Sequence, residues 1–192
     1  MTRQAAAAAA FAVYVAAIIG SNWLITHVGI PAGHGTYLTA VGFGLYAPSG
    51  VWAAAVSFPA RDVVQRLGGR WLGVVAIVAG AAVSWRISDP HIAVASGVTY
   101  LCSEGADMAV YTPMQAGARA WSPGWFTAAV AVSGVVAVVV DSVLFLHLAG
   151  LYSPSAVAGL VVGKLWVLAV AVPVTWGLRK TPVMAVPAEG TA

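Results

Sequence analysis

Four ionisable side chains lie inside long apolar stretches of this 192-residue chain: Glu104, Asp107, Asp141 and Lys164. In "LCSEGADMAVY" (101–111), two carboxylates stand three residues apart among mostly apolar neighbours. A charged residue at the centre of a membrane helix costs about 2.5–3.5 kcal/mol, so such residues usually face the bundle interior and mark a functional site. The alternative is that neighbouring helices satisfy them as packing groups, and Lys164 could also extend to the membrane surface.

Asp107 and Asp141 share a local pattern, because an aromatic residue (Tyr111 or Phe145) follows each of them by four positions. This spacing places the acid and the ring on one face of a helix. Small polar residues accompany both acids: Ser96, Ser103, Ser133 and Ser142. Since successive helices run in opposite directions, we expect the two acids to approach one cavity from facing walls. Such a cavity suits a ligand held by carboxylates and a ring face.

The composition indicates that lipid surrounds these residues. The chain is 60% hydrophobic and 8% charged, whereas soluble domains carry about 25% charged residues. Apolar stretches lie at about 5–27, 37–58, 71–86, 92–114, 124–149 and 155–178. Only the third is clearly shorter than the roughly 20 residues that a membrane helix needs. They are continuously apolar, unlike barrel strands, which alternate.

The sequence therefore predicts an all-α membrane protein. Residues 1–180 are predicted to form one compact bundle of six transmembrane helices, and residues 181–192 are predicted to form a disordered tail. The connection 59–70 is predicted to begin as a short interfacial helix with Pro59 in its first turn and to end at Gly68–Gly69. The N-terminal stretch is longer than the apolar region of a signal peptide, so it is predicted to be a retained helix.

Basic residues predict the orientation of this bundle. When the six predicted spans cross the membrane in turn, one side of the membrane holds a single basic residue, Arg86. Lys164 lies within a span. Seven of the nine Lys and Arg residues fall on one side: Arg3, Arg61, Arg66, Arg70, Arg119, Arg179 and Lys180. Because positive residues stay cytoplasmic, both termini are predicted to face the cytoplasm.

Asp141 and Lys164 are predicted to form an ion pair. The short connection "GLYSPSA" makes the fifth and sixth helices antiparallel neighbours. At 1.5 Å per residue, both side chains lie roughly 12–14 Å below the same surface. Opposite charges at one depth in a low-dielectric bundle should pair, because an unpaired buried charge costs several kcal/mol. A bound ligand or a proton would interrupt this pair.

Several other functions are disfavoured by the sequence. Cys102 is the only cysteine, which rules out an internal disulfide or a cysteine-based metal site, and the four histidines lack ligand spacing. There is no Gly-rich phosphate loop for ATP hydrolysis, and no basic patch for nucleic acid. Two membrane aspartates could form a protease dyad, but "EGADM" lacks the Gly-x-Gly-Asp sequence of intramembrane aspartyl proteases. No enzymatic activity and no cofactor are therefore expected, and a purely structural role leaves the membrane charges unexplained.

Three further features occur in order along the chain. These are Asn22 near the end of the first helix, the "DVV" of the connection that ends in glycine, and the two helices with "ASGVTYLCSEGADMAVY" and "SGVVAVVVDSVLF". In this order, over roughly residues 10–180, the chain resembles the vitamin-uptake-like family of six-helix proteins, the queuosine precursor transporters. It departs from the family at Glu104, where Gln is frequent, and at Gln65–Arg66, where the family has Asn-Glu. The positions that match the family's residue types are Asn22, Asp62, Ser96, Ser103, Asp107, Ser133, Asp141 and Lys164.

This resemblance implies a multi-pass protein of the cell membrane that imports a deazaguanine base, a cyano or aminomethyl precursor of queuosine. Hydrogen bonds and ring stacking would hold such a planar base. The alternative is the substrate-binding subunit of an energy-coupling-factor type vitamin importer, so a homo-oligomer and energising subunits are both left open as partners. The predicted substrate-binding residues are Asn22, Ser103, Glu104, Asp107, Tyr111, Ser133, Asp141, Phe145 and Lys164.

Overall fold

The structure, a computed structural model, describes residues 2–33, 35–87, 90–116 and 122–184. These residues form six α-helices: α1 (Arg3–His27), α2 (Val51–Gly68), α3 (Arg70–Ile87), α4 (Pro90–Met114), α5 (Pro123–Leu148) and α6 (Pro154–Arg179). Between α1 and α2 lies an antiparallel sheet of three strands in the order β1 (Ile30–Gly33), β2 (Thr36–Gly42) and β3 (Leu45–Pro48). The protein is thus mostly helical, as predicted, with one small sheet that the all-α prediction lacked.

The second helix, α2, lies at the centre of the bundle, where it contacts each of the other five helices. Around it, α1 packs on α3, α3 on α4, α4 on α5, and α5 on α6. Most side chains of α2 from Ala55 to Leu67 are buried, including Arg61, Asp62 and Arg66. A helix enclosed by protein in this way can carry charged residues, because its neighbours supply the partners that lipid cannot.

Successive helices run in opposite directions between two ends of the bundle. One end, the termini end, joins the starts of α1 and α5 to the ends of α2 and α4, in a cluster containing Ala6, Leu67, Tyr111, Phe126 and Met184. The opposite end, the sheet end, gathers Ile25, Val51, Phe145 and Leu160. Both ends of the described chain therefore lie at the termini end.

The predicted second span, residues 37–58, is wrong. Strands occupy residues 36–42 and 45–48, and α2 begins only at Val51. The turn between β2 and β3 has left-handed backbone at Gly42 (φ 97°), Phe43 (φ 55°) and Gly44 (φ 72°). Glycine adopts this conformation readily, and a right-handed helix cannot pass through it.

The β2–β3 hairpin packs along α6, which explains why this stretch is apolar. Trp166 Nε1 donates to the carbonyl of Val41 at 3.0 Å, and the Phe43 ring stacks on the Trp166 ring at 6.3 Å. A side chain at Gly159 would place its Cβ only 2.0 Å from the carbonyl oxygen of Tyr46, so glycine permits the close approach. Trp166 lies 12 residues after Pro154, about 18 Å along the helix. The hairpin tip is therefore level with the middle of α6.

The connection predicted at 59–70 is not a separate interfacial helix. Pro59 lies inside α2, although Gly69 (φ 85°) does end that helix, as predicted. Arg61 and Arg66 are 0% and 1% exposed, so neither belongs to a surface connection. The basic residues that still support the predicted orientation are Arg3, Arg70, Arg179 and Lys180 at the termini end, while Arg119 lies outside the described residues.

Within the described residues, three helices are long and apolar enough to cross a membrane: α1, residues 124–148 of α5, and α6. Large apolar side chains such as Val13, Val135 and Val170 are exposed on them, as expected for surfaces in contact with lipid. After α6, Pro182–Met184 forms a 3-10 turn and Met184 is buried, four residues into the tail that was predicted to be disordered. Residues 185–192 lie outside the described part of the chain.

Candidate functional site

A cavity of about 80 Å³ lies within the bundle, and all six helices contribute to its wall. Pro48 and Gly50 border it, so it lies towards the sheet end. Its apolar surface includes Ile18, Phe145 and Leu160. The polar side chains of the wall are Ser21, Asn22, Ser57, Ser84, Ser96, Thr99, Tyr100, Asp141 and Lys164. This is a concave site with convergent polar groups, the usual form of a small-molecule site.

The charged groups of the cavity are Asp141 on α5 and Lys164 on α6. Lys164 Nζ donates to Asp141 Oδ2, which confirms the predicted ion pair. Ser103 donates to the other carboxylate oxygen, Oδ1, at 3.3 Å. The Lys164 side chain is 2% exposed and that of Asp141 is 15% exposed. The carboxylate is thus the more accessible partner of the pair.

Four of the predicted binding residues line this cavity: Asn22, Asp141, Phe145 and Lys164. The Asn22 amide donates to the Ile18 carbonyl at 2.9 Å and lies 3.5 Å from Ser84 Oγ. Ser103 lies behind the wall, where it orients Asp141. The structure therefore brings one half of the predicted site together, around the Asp141–Lys164 pair.

The other predicted acids, Glu104 and Asp107, belong to a separate buried cluster centred on Arg61. Arg61 Nε donates to Glu104 Oε2 at 3.2 Å, Nη2 lies 2.7 Å from Asp107 Oδ2, and Nη1 lies 3.0 Å from Asp62 Oδ1. All four side chains are at most 1% exposed. The expectation that Asp107 faces the cavity is therefore wrong, because Arg61 engages its carboxylate. We call Arg61, Asp62, Glu104 and Asp107 the Arg61 cluster.

Tyr111 and Ser133, also predicted to bind the ligand, instead pack around the Arg61 cluster. The Tyr111 hydroxyl donates to the Asp62 carbonyl at 3.2 Å, and the Arg61 guanidinium lies 5.6 Å from the centre of its ring. Ser133 is fully buried on α5, beside the carboxylates of Asp62 and Asp107. Both residues support the cluster rather than the cavity wall.

The hydroxyl of Ser57 joins the cavity to the Arg61 cluster. Ser57 lines the cavity, and its hydroxyl can donate either to the Ala54 carbonyl at 2.7 Å or to Glu104 Oε1 at 3.3 Å. On the far side of the cluster, Arg61 Nη1 donates to Gln65 Oε1 at 3.0 Å, and Gln65 Nε2 donates to Thr112 Oγ1 at 3.0 Å. Polar contacts between α2 and α4 thus continue from the cavity towards the termini end.

The sequence prediction overlooked Arg61 and Ser57 as functional residues. The signal was present, because Ser57, Arg61 and Gln65 recur every four residues and therefore share one helix face. Among the described side chains, no set of three His, Cys, Asp or Glu residues is placed to hold a metal ion. The side chains of His34 and His91 lie outside the described residues.

No family model matches this chain, and neither a curated protein nor a solved structure matches it. The resemblance to queuosine precursor transporters therefore stays a prediction. What the molecule does must be argued from its cavity and its buried charges.

Proposed function

We propose that this protein is a membrane importer of a small planar base of the deazaguanine type. The observation that carries the proposal is the polar cavity inside the bundle, with the Asp141–Lys164 pair on its wall. An ionic site enclosed by helices with apolar outer surfaces is typical of a pathway for a polar solute.

The chemistry of the pair fits one edge of a guanine-like base. Such an edge presents two adjacent N–H donors beside a carbonyl acceptor. A carboxylate accepts from both donors, and an ammonium group donates to the carbonyl. Asp141 and Lys164 would take these roles, with the rings of Phe145 and Tyr100 available for contact with the planar face.

Binding is expected to change the packing of α5 against α6. The cavity of about 80 Å³ is smaller than the roughly 300–1,000 Å³ of typical ligand pockets. A base that inserts between Asp141 and Lys164 must separate them, and these two residues lie on different helices. Ligand binding would therefore bias the relative position of α5 and α6, as alternating access requires.

We further propose that all six helices cross the cell membrane with the termini end in the cytoplasm. The exposed apolar side chains of α1, α5 and α6 support membrane insertion. Arg3, Arg70 and Lys180 lie at the termini end, and the positive-inside rule assigns that end to the cytoplasm.

Uptake of a radiolabelled cyano-substituted deazaguanine tests this proposal in cells that lack their own uptake system. Expression of the protein should produce uptake that unlabelled deazaguanine inhibits, with guanine as a second competitor. Asp141→Asn should abolish uptake at near-normal membrane levels, whereas Cys102→Ser should not, because Cys102 is exposed on α4 and outside the cavity wall. An absence of uptake by the wild-type protein would refute transport of this base.

A second candidate function is that of a substrate-binding subunit in a larger ATP-driven importer. An apolar groove of about 640 Å³ between α1 and α6, with α2 as its floor, favours this candidate. Within the described residues, no element covers the groove, so a helix of an energising subunit could pack there. Uptake in a host that lacks such subunits would exclude this candidate.

A further inference from the structure

We infer that the Arg61 cluster binds a proton that crosses the membrane with the substrate, and that Glu104 carries it. This inference rests on the proposed function, because it names the ion that drives import. Three observations support it: the charge of the cluster, its buried carboxylate oxygens, and its contact with the cavity.

The cluster has more acids than bases. Asp62, Glu104 and Asp107 share one guanidinium, and all are at most 1% exposed. If all three acids were ionised, the cluster would carry two uncompensated negative charges, each costing several kcal/mol. At least one bound proton would reduce this cost.

No other described cation neutralises the cluster. On α6, Lys164 pairs with Asp141 of α5, and on α2 Arg66 donates to Gln115 at 2.9 Å, nearer the termini end. The Arg residues of α3 are exposed. The other titratable groups near Glu104 are Tyr14 of α1 and Tyr100 of α4, beside Tyr111 further along α4. All three are uncharged as phenols.

Two buried oxygens of the cluster are unsatisfied. Oδ2 of Asp62 and Oδ1 of Asp107 accept no hydrogen bond of normal geometry from the described residues. Buried polar atoms of this kind are rare in proteins and call for an explanation. Besides Arg61, the Ser133 hydroxyl is a nearby donor, and a proton shared among the three carboxyl groups supplies a further one.

Glu104 is the carboxyl group of the cluster that contacts the cavity wall. Ser57 Oγ, on that wall, lies 3.3 Å from Glu104 Oε1. Because a hydroxyl group both donates and accepts, it can pass a proton between cavity water and the carboxylate. The proton leaves water in the cavity, binds Glu104 Oε1 through Ser57, and is released from the same oxygen after the cavity changes its access.

The helix α4 connects this proton to the substrate. Ser103 donates to Asp141 at 3.3 Å, while the adjacent residue, Glu104, binds Arg61 and Ser57. A substrate that pulls Asp141 away from Ser103 would disturb α4 at the position of Glu104. Binding of base and proton would therefore be linked.

Proteoliposomes containing the purified protein test the coupling. With an acidic exterior, labelled cyano-substituted deazaguanine should accumulate several-fold above equilibrium, and a trapped pH dye should report proton entry. A protonophore, which collapses the pH gradient, should abolish the accumulation, and the proton entry that the dye reports without it should depend on added base. Glu104→Gln should keep exchange of labelled for unlabelled base but lose accumulation, and Glu104→Asp should retain accumulation. Wild-type exchange without any effect of the pH gradient would overturn the coupling, as would normal accumulation by Glu104→Gln.

A measurement without substrate separates this inference from the proposed function. Infrared difference spectra of the purified protein at two pH values should show the carbonyl band of a protonated carboxyl group. The band should be lost in Glu104→Gln and retained in Asp141→Asn. If the wild-type protein exchanges no base, the proposed function is refuted but proton binding is not. If the wild-type protein shows no such band, proton binding is refuted. If Glu104→Gln fails to fold, the wild-type band and gradient dependence still decide.

Discussion

At the scale of single residues, we expect Arg61 to have a large influence on stability, because one guanidinium binds three carboxylates and Gln65. Lysine carries the same charge, but its compact ammonium cannot reproduce this fork of donors. Arg61→Lys should therefore destabilise the protein by about 1–3 kcal/mol, the cost of buried polar groups left unpaired. The loss should appear as a lower thermal midpoint in size-exclusion measurements on detergent-solubilised protein.

The matched control for Arg61→Lys is Arg86→Lys. Arg86 is exposed near the end of α3, so its replacement should change stability by no more than about 0.5 kcal/mol. Equal thermal midpoints for the two variants would show that the donors of Arg61 contribute little to the fold.

The Asp141–Lys164 pair gives a second prediction at this scale. Lys164→Ala should lower the amount of protein in the membrane, because it leaves a carboxylate without its cation. Breaking a fully buried pair costs about 3–5 kcal/mol, and the cost here should be smaller because the Asp141 side chain is 15% exposed. The double variant Lys164→Ala/Asp141→Ala should recover membrane levels but not uptake. Immunoblots of membrane fractions and uptake assays measure both, and a double variant no more abundant than the single one would contradict the prediction.

The two sets of buried charges differ in how far the sequence could predict them. Asp141 and Lys164 lie on adjacent antiparallel helices joined by a short connection. Their distances in sequence from that connection predict that the two side chains lie at one depth and can pair. The partners of Asp107 depend on α2, whose position between the other helices is a tertiary property. Arg61 follows Pro59, which in sequence is typical of the start of a new helix, so this pattern predicts a surface position for Arg61.

At the scale of elements, the packing of the hairpin on α6 can be tested with two glycines. Gly159→Ala should destabilise the protein by about 1–3 kcal/mol, the usual cost of overpacking. The reason is that the new Cβ would lie 2.0 Å from the backbone oxygen of Tyr46. The thermal midpoint of the purified protein measures the effect.

Gly177→Ala, also on α6, is the control for this substitution. No atom lies within 4 Å of the Cβ that it would add, and alanine stabilises a helix interior by up to about 1 kcal/mol relative to glycine. The control should therefore match or exceed the wild-type midpoint. If Gly159→Ala did the same, the hairpin would not pack against α6 as closely as described.

Most helices were predictable because their apolar runs are long, and their bounds differ from the prediction by only a few residues. The stretch 37–58 failed because apolarity alone cannot distinguish a spanning helix from a hairpin laid against one. The turn residues Gly42 and Gly44 carried the missing information. They outweigh hydropathy, since a left-handed backbone ends any right-handed helix.

At the scale of the whole molecule, the position of both ends of the described chain at the termini end predicts the result of reporter fusions. An alkaline phosphatase fused after Ala192 should be inactive, and a fluorescent protein at the same place should be bright, because we propose that the termini end faces the cytoplasm. A phosphatase fused after Gly150, at the sheet end, should be active. Activity of the C-terminal phosphatase would reverse the orientation proposed from Arg3, Arg70 and Lys180.

The attachment of the hairpin to α6 also sets the order in which the fold can assemble during synthesis. Val41 and Trp166 are 125 residues apart. The hairpin therefore leaves the ribosome long before α6, the helix on which it packs, has been synthesised. Backbone groups of a sheet edge are not left unpaired in lipid. Residues 30–48 should therefore wait near the aqueous surface, open to protease in a stalled chain that ends before α6. Because Leu160 and Lys164 of α6 also line the cavity, its wall is complete only when α6 has packed against the other helices.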